Sequence, residues 1–383
     1  MYEIILSICI PTYNGGIRLE KLVRQILGSD RNDIEVAVTD NCSCDDTVER
    51  LKKINDMRLC VYENTINTGA LENGIHALEN ANGKYAMLLL DRDIVQMKCL
   101  DEYVRFLKEN EYGVLINLCK TFGYRAAKKI EKEELYYYLA KSPHPSFFTF
   151  HRAMLREIEI TKSVKTDGYY PALIGMAISQ IGGAYLNTAI PISIEAETHY
   201  ILMSRSKSWS IAHDDAKERF KPLGYDPRSQ KERLKKYFHY IETICGEKEI
   251  LYAQKGIYQA LLENTMNYIH ELESTSGRHR YPLDDLGYTL YEHVQIVDDF
   301  YDFYLSCAGD REKALNQDYI ETITQLIRLQ FINETIPQLQ GSYDQNCVEI
   351  ETLRERLSDL GVVYEENIRR DMIFKEGAGV EDA

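Results

Sequence analysis

Apolar and polar residues alternate in blocks along the N-terminal part of the chain. Short apolar runs predict strands over residues 4–10, 35–38, 58–62 and 85–90. Between these runs, apolar residues recur three and four positions apart within 19–27, 48–54 and 71–78, which is the spacing of amphipathic helices. Repeated strand–helix units of this kind predict a mostly parallel sheet with right-handed crossovers.

Each predicted strand leads into a polar segment. Pro11 follows the first apolar run, and because proline has no N–H for a sheet ladder, we expect this strand to end there. The loops at 12–16, 41–47 and 64–69 are rich in residues that favour turns. The carboxyl ends of parallel strands share one edge of a sheet, where open α/β sheets bind ligands. We therefore expect these loops to lie close together.

Asp91 and Asp93 flank Arg92 directly after the fourth apolar run. Two carboxylates this close repel each other unless positive charge lies between them. A divalent cation that carries a diphosphate would supply that charge. A solvated turn is the alternative for an isolated Asp-x-Asp, and the neighbouring polar loops favour the ligand site. Asp40, at the end of the second strand, could accept a hydrogen bond from a heterocyclic base or cap a helix.

Four segments together resemble glycosyltransferase family 2, whose members have the GT-A fold. They are Ile-Cys-Ile-Pro-Thr-Tyr-Asn at 8–14, Asp-Asn-Cys-Ser-Cys-Asp-Asp-Thr at 40–47, Asn-Thr-Gly at 67–69 and Leu-Asp-Arg-Asp at 90–93. The resemblance is dense over 4–95, thin to about 205 and not recognisable beyond about 215. It implies a GT-A-like α/β fold with a mostly parallel central sheet flanked by helices. We expect an α-helical C-terminal domain to follow.

The resemblance also implies roles for individual residues. Asp93 would bind a divalent cation, Mn²⁺ or Mg²⁺. Arg92 departs from the small residue that is common at its position, and it would pair with a donor phosphate or face solvent. The implied donor-binding residues are Pro11, Thr12, Tyr13, Asp40, Asn41, Ser43, Asn67, Gly69, Asp91 and Arg92.

The family's catalytic base precedes a helix that follows the central strands. The matching residue is Asp167, ahead of the apolar pattern at 173–178, and a helix N-cap is its alternative role. Glu195, Glu197 and His199 come later in the chain. The resemblance implies that His199 is either a further metal ligand or a structural histidine.

Length, charge and cysteine content narrow the class of protein. The 383 residues have room for a GT-A-like domain over 1–213, a helical domain over 214–375 and a disordered tail over 376–383. A formal charge of −15 argues against a nucleic-acid partner. Nine scattered cysteines, with no secretion signal and no apolar run of spanning length, predict a cytoplasmic protein without a membrane span.

The pattern beyond about residue 210 is helical, and we expect this part to serve assembly or acceptor placement. Helices are predicted at 251–272, 288–306, 316–333 and 345–370. Leu353, Leu357 and Leu360 could pair with a second chain to form a homo-oligomer, or pack within their own domain. The basic and aromatic stretch 231–238 could contact anionic lipid at the inner face of the membrane, or be a solvated helix face.

These features predict a metal-dependent, inverting glycosyltransferase that moves a sugar from a nucleoside-diphosphate sugar to an acceptor hydroxyl. The acceptor would be a saccharide, a lipid-linked molecule or a protein, in polysaccharide or glycoconjugate synthesis. One alternative is a non-catalytic protein that binds a nucleotide sugar. Another is a sugar nucleotidyltransferase, which would need a basic, Gly-rich loop after the first strand, and Pro11-Thr12-Tyr13-Asn14 is not such a loop.

Overall fold

The computed structural model describes residues 3–117, 128–141, 144–158, 170–190, 192–194, 227–274, 292–335 and 343–360. These residues fall into two compact units. The first contains the described residues up to 131 and those from 144 to 194, and the second contains 132–141 and the described residues from 227 onwards. The domain boundary predicted at 213/214 and the tail over 376–383 lie outside the described residues.

The first unit is built on one large sheet. Its strands are β1 (Leu6–Thr12), β2 (Ile34–Asp40), β3 (Leu59–Glu63), β4 (Tyr85–Leu88), β5 (Ile94–Val95), β6 (Val114–Asn117), β7 (Lys128–Ile130), β8 (Phe148–His151), β9 (Ala184–Asn187) and β10 (Ser193–Ile194). The large sheet has the order β3-β2-β1-β4-β8-β6-β9-β7, and β5 pairs with β10 separately. Within the large sheet, only β7 and β8 run opposite to the other described strands. The mostly parallel sheet is confirmed.

Helices form where apolar residues recur at helical spacing. In chain order they are α1 (Gly16–Leu27), α2 (Thr47–Lys52), α3 (Ala70–Glu79), α4 (Met97–Glu109), α5 (Lys132–Lys141), α6 (Arg152–Glu157), α7 (Tyr170–Gly182), α8 (Pro227–Ile244), α9 (Glu247–Ser274), α10 (Glu292–Cys307), α11 (Asp310–Thr335) and α12 (Tyr343–Asp359). The buried face of α1 consists of Leu19, Leu22, Val23, Ile26 and Leu27, the same residues that predicted the helix. All helices except α5 and α8–α12 belong to the first unit.

The strand that contains Pro11 continues to Thr12, so the predicted strand end is wrong. The carbonyl oxygen of Thr12 accepts from the N–H of Asn41 at 2.9 Å, on the β2 side. Residues of a parallel strand bond alternately to one neighbour and the other, so Pro11 faces β4, as does Cys9, whose carbonyl accepts from Leu89. Strand β4 ends just before Leu89. The missing N–H therefore falls where the β1–β4 ladder has already stopped.

The second unit is helical, as the sequence pattern predicts. It also includes α5, which the predicted domain boundary places with the first domain. Lys141 at the end of α5 makes a 2.7 Å ion pair with Glu263 of α9, and both side chains are buried. Tyr137 and Gln259 donate to the same carboxylate at 2.8 Å. The bonds from Lys141 and Tyr137 connect α5 to α9, and the bond from Gln259 within α9 completes the environment of the Glu263 carboxylate.

Contact with lipid and pairing with a second chain were two surface roles considered for the second unit, and each can be compared with the burial of its side chains. Within the stretch 231–238, Tyr237 and Phe238 are buried, so these rings are not presented to a lipid surface. Leu357 is fully buried, Leu353 is half-buried and Leu360 is 37% exposed, so pairing with a second chain stays a prediction. Among the residues described, no helix combines the length and apolar character needed to span a bilayer.

Candidate functional site

The polar loops that follow β1, β2 and β4 lie together at the carboxyl edge of the sheet. The Thr12 hydroxyl donates to Asp91 Oδ2 at 2.8 Å, which joins the ends of β1 and β4. The Asn14 N–H donates to Ser43 Oγ at 2.8 Å, which joins the loops after β1 and β2. The predicted gathering of these loops is therefore observed.

Asp40 is buried and organises the loop that follows β2. Its carboxylate accepts the N–H of Ser43 at 2.8 Å and also accepts the Ser43 hydroxyl. Such local bonding is typical of Asp at turns, and it supports the positive φ of 61° at Cys42. Each carboxylate oxygen keeps a second lone pair, so Asp40 can still accept from a ligand.

Asn41 is buried and fastens the loop after β3 to the loop after β2. Its Oδ1 accepts from the N–H of Thr68 at 2.9 Å and from Asn64 Nδ2 at 3.2 Å. Its Nδ2 donates to Asn67 Oδ1 at 2.9 Å, and Asn67 Oδ1 also accepts the N–H of Gly69. Gly69 has a φ of 87°, a conformation that favours glycine. Asn41 and Asn67 thus shape the site through these protein contacts.

Asn73 of α3 is a site residue that the sequence analysis did not single out. It is buried, and its Nδ2 donates to the carbonyl oxygens of Thr12 at 3.3 Å and Thr39 at 3.1 Å. Its Oδ1 accepts from Asn64 at 2.9 Å. One amide thereby ties the ends of two strands to the loop after β3. The sequence signal is weak, because a lone Asn in a helix is usually a solvated residue.

An aromatic ring and a positively charged side chain lie at the rim of the candidate site. Tyr13 is 48% exposed, which leaves its ring accessible to a ligand. Arg18 of α1 is largely exposed and places its guanidinium 3.4 Å from Asp91 Oδ1. Arg18 lies in the first turn of α1, and the sequence analysis did not assign it a role. The resulting surface combines a stacking group with positive charge beside a carboxylate.

Asp93 follows a strand in a loop, where an exposed side chain would be expected, but it is buried. Its side chain is fully buried, and its Oδ2 accepts the hydroxyl of Ser146. Ser146 Oγ in turn accepts the N–H of Leu90 at 2.9 Å. The Asp93 N–H donates to the Leu90 carbonyl at 3.0 Å, which closes the turn. Asp93 is therefore held by a residue from a distant segment, Pro145–Phe147, a 3-10 turn.

His144 lies beside this carboxylate and is neutral. Burial, followed by the positive charge of Arg92, lowers the pKa of His144 to about 3. The Ser146 N–H donates to His144 Nδ1 at 3.3 Å. The 3.4 Å approach of His144 to Asp93 is consequently not an ion pair at neutral pH. Arg92 itself is exposed.

The donor chemistry here can be tested against a divalent cation. Among the residues that the structure describes, no three His, Cys, Asp or Glu side chains form a metal-binding group. Mg²⁺ usually takes only one or two carboxylates, with substrate phosphates and waters as its other ligands. Asp91 and Asp93 are two hard oxygen donors two residues apart, with Asp91 at 15% exposure and Asp93 fully buried. Their donor chemistry is of the type that Mg²⁺ takes when a diphosphate supplies most of its ligands.

The remaining predicted residues cannot be placed at this edge. Asp167, Glu195, Glu197 and His199 lie outside the described residues. Asp167 as base and His199 as metal ligand therefore stay predictions.

The N-terminal unit can now be compared with known proteins. Residues 7–159 match the family model described as Glycosyl transferase family 2. This segment is similar to glycosyltransferase family 2. The match spans the site-forming loops after β1, β2, β3 and β4.

Two bacterial relatives show similarity over part of this chain. A GalNAc(5)-diNAcBac-PP-undecaprenol beta-1,3-glucosyltransferase of Campylobacter jejuni is 29% identical over 164 residues, which are 39% of this chain and 52% of the relative. The poly(ribitol-phosphate) beta-N-acetylglucosaminyltransferase TarS of Staphylococcus aureus is 25% identical over 206 residues, 51% of this chain and 34% of the relative. The chain thus spans about half the length of the first relative and a third of the second.

The family 2 domain and the helical part also have a structural counterpart. The crystal structure of S. aureus TarS 1-349 matches 94% of this chain and 93% of that fragment, with a TM-score of 0.53 and 16% sequence identity. The same fragment has been crystallised in complex with UDP-GlcNAc, and that structure has a TM-score of 0.51 to this chain. The likeness confirms the predicted GT-A-like fold followed by helices.

Proposed function

We propose that this protein is a glycosyltransferase that moves a sugar from a nucleoside-diphosphate sugar to an acceptor hydroxyl. The observation that carries the proposal is the convergence of Thr12, Asp40 and the Asp91–Asp93 turn at one edge of a family 2 domain. This edge offers a buried carboxylate at Asp40, an exposed ring at Tyr13 and two further carboxylates, of which Asp91 is partly exposed and Asp93 is buried. A sugar nucleotide needs these three kinds of group.

Asp91 and Asp93 would hold a divalent cation, Mn²⁺ or Mg²⁺, together with the donor diphosphate. When bound, this cation stabilises negative charge on the leaving diphosphate. Arg18 lies 3.4 Å from Asp91, and its exposed guanidinium can turn to a phosphate oxygen. Arg92 is exposed at the same turn and adds a second positive charge. The site then balances two carboxylates with two cationic side chains.

The nucleoside would lie over the loops after β1 and β2. Tyr13 offers its exposed ring for stacking, and Asp40 offers the remaining lone pairs of its carboxylate to a base N–H. Thr12 would orient Asp91 through its 2.8 Å hydrogen bond. The UDP-GlcNAc complex of a protein with the same fold makes UDP the first nucleotide to test.

The chemical step we propose is displacement with inversion. A base removes the proton from the acceptor hydroxyl, the hydroxyl oxygen forms a bond to the anomeric carbon, and the bond from that carbon to the diphosphate oxygen breaks with its electron pair leaving on the diphosphate. Asp167 is our candidate for this base, and the transition state has oxocarbenium character. The diphosphate leaves on the opposite face of the sugar.

The acceptor class is proposed from the relatives. One relative is named for an undecaprenol-linked saccharide and another for poly(ribitol phosphate). We propose a saccharide or lipid-linked acceptor, with a protein as the alternative, in polysaccharide or glycoconjugate synthesis. A lipid-linked acceptor would bring the protein to a membrane face, and the second unit would serve assembly or acceptor placement.

Donor hydrolysis tests this proposal without knowledge of the acceptor. The full-length protein should slowly hydrolyse at least one sugar nucleotide from a panel of UDP-, GDP- and dTDP-sugars in Mn²⁺, and chelator should stop the reaction. Binding without hydrolysis would favour the non-catalytic alternative. Release of pyrophosphate from a nucleoside triphosphate and a sugar phosphate would instead identify a nucleotidyltransferase.

A further inference from the structure

Strand topology brings Ser146 to the Asp91–Asp93 turn. Strand β8 pairs antiparallel with β4, and Met87 lies opposite Thr149. Because the strands run in opposite directions, the segment just before β8 lies beside the segment just after β4. Ser146 belongs to that preceding segment and is fully buried.

The Ser146 hydroxyl makes a hydrogen bond to each end of the turn. It accepts the Leu90 N–H at 2.9 Å and donates its own proton to Asp93 Oδ2. The turn is also closed by the Asp93 N–H, which donates to the Leu90 carbonyl at 3.0 Å. The position of the Asp93 carboxylate is therefore set both by its own backbone and by a side chain 53 residues away.

We propose that Ser146 is a positioning residue for the metal–diphosphate site. Its hydroxyl donates to Asp93 Oδ2 and so fixes the direction of this carboxylate, on which a bound cation would depend. This inference rests on the proposed function, since it assumes that Asp93 is a metal ligand. The sequence alone does not assign Ser146 any role.

The Ser146 hydroxyl should matter because the protein would supply only a few ligands to the bound cation. A cation held by two carboxylates and a diphosphate depends strongly on the direction of each carboxylate. Loss of a residue that hydrogen-bonds a ligating side chain typically weakens metal affinity 10–100-fold. Without the Ser146 hydroxyl, the Asp93 carboxylate would lose a fixed donor in a buried setting.

A second serine in the same unit provides a matched control. Ser7 is also fully buried, donates to Glu35 Oε1 and accepts the Gly83 N–H at 2.7 Å. Ser7 lies at the beginning of β1, whereas the candidate site is at the end of this strand. Ser7 Oγ also accepts the Asn82 N–H at 3.2 Å. Ser7→Ala and Ser146→Ala therefore each remove a bond to a carboxylate and bonds from backbone N–H groups, at opposite ends of the strands of this sheet.

The experiment measures UDP binding by calorimetry at a series of Mn²⁺ concentrations. Ser146→Ala should raise the Mn²⁺ concentration at half-maximal UDP binding by about 10–100-fold. At saturating Mn²⁺, its UDP affinity should return to within a few-fold of the wild-type value. Ser7→Ala should lower the melting temperature to a similar extent and leave the Mn²⁺ midpoint unchanged.

Other outcomes distinguish failure of the Ser146 proposal from failure of the proposed function. If the wild type binds UDP with Mn²⁺ and Ser146→Ala has the same Mn²⁺ midpoint, Ser146 has no positioning role and the proposed function stands. A shift of equal size in Ser7→Ala would also overturn the proposal, because it would show that any loss of stability moves the midpoint. If the wild type binds none of UDP, GDP and dTDP in Mn²⁺, the proposed function itself fails.

Discussion

The hydroxyl of Thr12 donates to the carboxylate of Asp91 at 2.8 Å, across 79 residues of sequence. Thr12 ends β1 and Asp91 follows β4, and these strands are neighbours in the sheet. The bond therefore spans the sheet edge at which the three polar loops gather. It also places Asp91 between Thr12 and the guanidinium of Arg18.

Removal of the Asp91 carboxylate should weaken nucleotide binding much more than it weakens the fold. The side chain is only 15% exposed but lies at the rim, where its proposed partner is a cation. Asp91→Ala should reduce UDP affinity in Mn²⁺ at least about tenfold, equivalent to about 1.4 kcal/mol. Asp101→Ala is the control, because Asp101 is 77% exposed and pairs with Arg31 instead. Equal affinities in the two variants would exclude Asp91 from the site.

Asp93 should affect both stability and metal dependence because its side chain is fully buried. Asp93→Ala leaves the Ser146 hydroxyl without this acceptor. We expect the free energy of unfolding, measured in urea, to fall by about 1–3 kcal/mol. Asp93→Asn keeps an acceptor oxygen and the shape, so it should lose less stability. Both variants should lose the effect of Mn²⁺ on UDP binding. Normal Mn²⁺ dependence in Asp93→Asn would refute the metal assignment.

Asp40 should contribute to both the loop and the nucleotide. Its carboxylate accepts two hydrogen bonds from Ser43, so Asp40→Ala should lower the free energy of unfolding by about 1–3 kcal/mol. Ser43→Ala keeps the backbone bond to Asp40 and removes the hydroxyl bond, together with the bond that Ser43 Oγ accepts from the Asn14 N–H. Because it leaves no buried carboxylate vacancy, it should cost less. UDP affinity should fall further in Asp40→Ala than in Ser43→Ala. A large fall in melting temperature with unchanged UDP affinity would limit Asp40 to loop stabilisation.

The buried ion pair of the second unit should be sensitive to loss of one charge. Glu263→Gln leaves the Lys141 ammonium without its counter-charge, and we expect a loss of about 3–5 kcal/mol in urea unfolding. Glu247→Gln breaks an ion pair with Arg311 in which both side chains are largely exposed and solvent screens the charges, so it should change the unfolding midpoint far less. Similar unfolding midpoints for the two variants would contradict the importance of this pair.

The assignment of Asp167 as the catalytic base is tested by Asp167→Asn, which keeps the shape of the side chain but cannot accept the proton. Asp167→Asn should slow sugar transfer about 10²–10⁴-fold with little effect on UDP affinity. The measurement is single-turnover transfer to an identified acceptor, with calorimetry in parallel. Transfer at the wild-type rate would move the search to Glu195 and Glu197. Loss of UDP affinity would assign Asp167 to the donor pocket.

Local pattern alone determined the alternation of strands and helices in this protein. Burial of one helix face leaves a direct trace in the sequence, and the apolar residues of α1 that predicted the helix are the ones that are buried. The gathering of the polar loops also followed from sequence, because parallel strands end at one edge. These features depend on spacing along the chain, which is visible without a structure.

Tertiary structure decided the features that depend on which strands become neighbours. Ser146 reaches Asp93 only because β8 lies antiparallel beside β4, and no local pattern encodes that placement. Pro11 stays within β1 because the ladder on its β4 side has ended. Likewise α5 belongs to the helical unit through Lys141 and its partner on α9. Pairings between distant segments depend on the packing of the whole unit, whereas helical and strand periodicity depends on nearby residues alone.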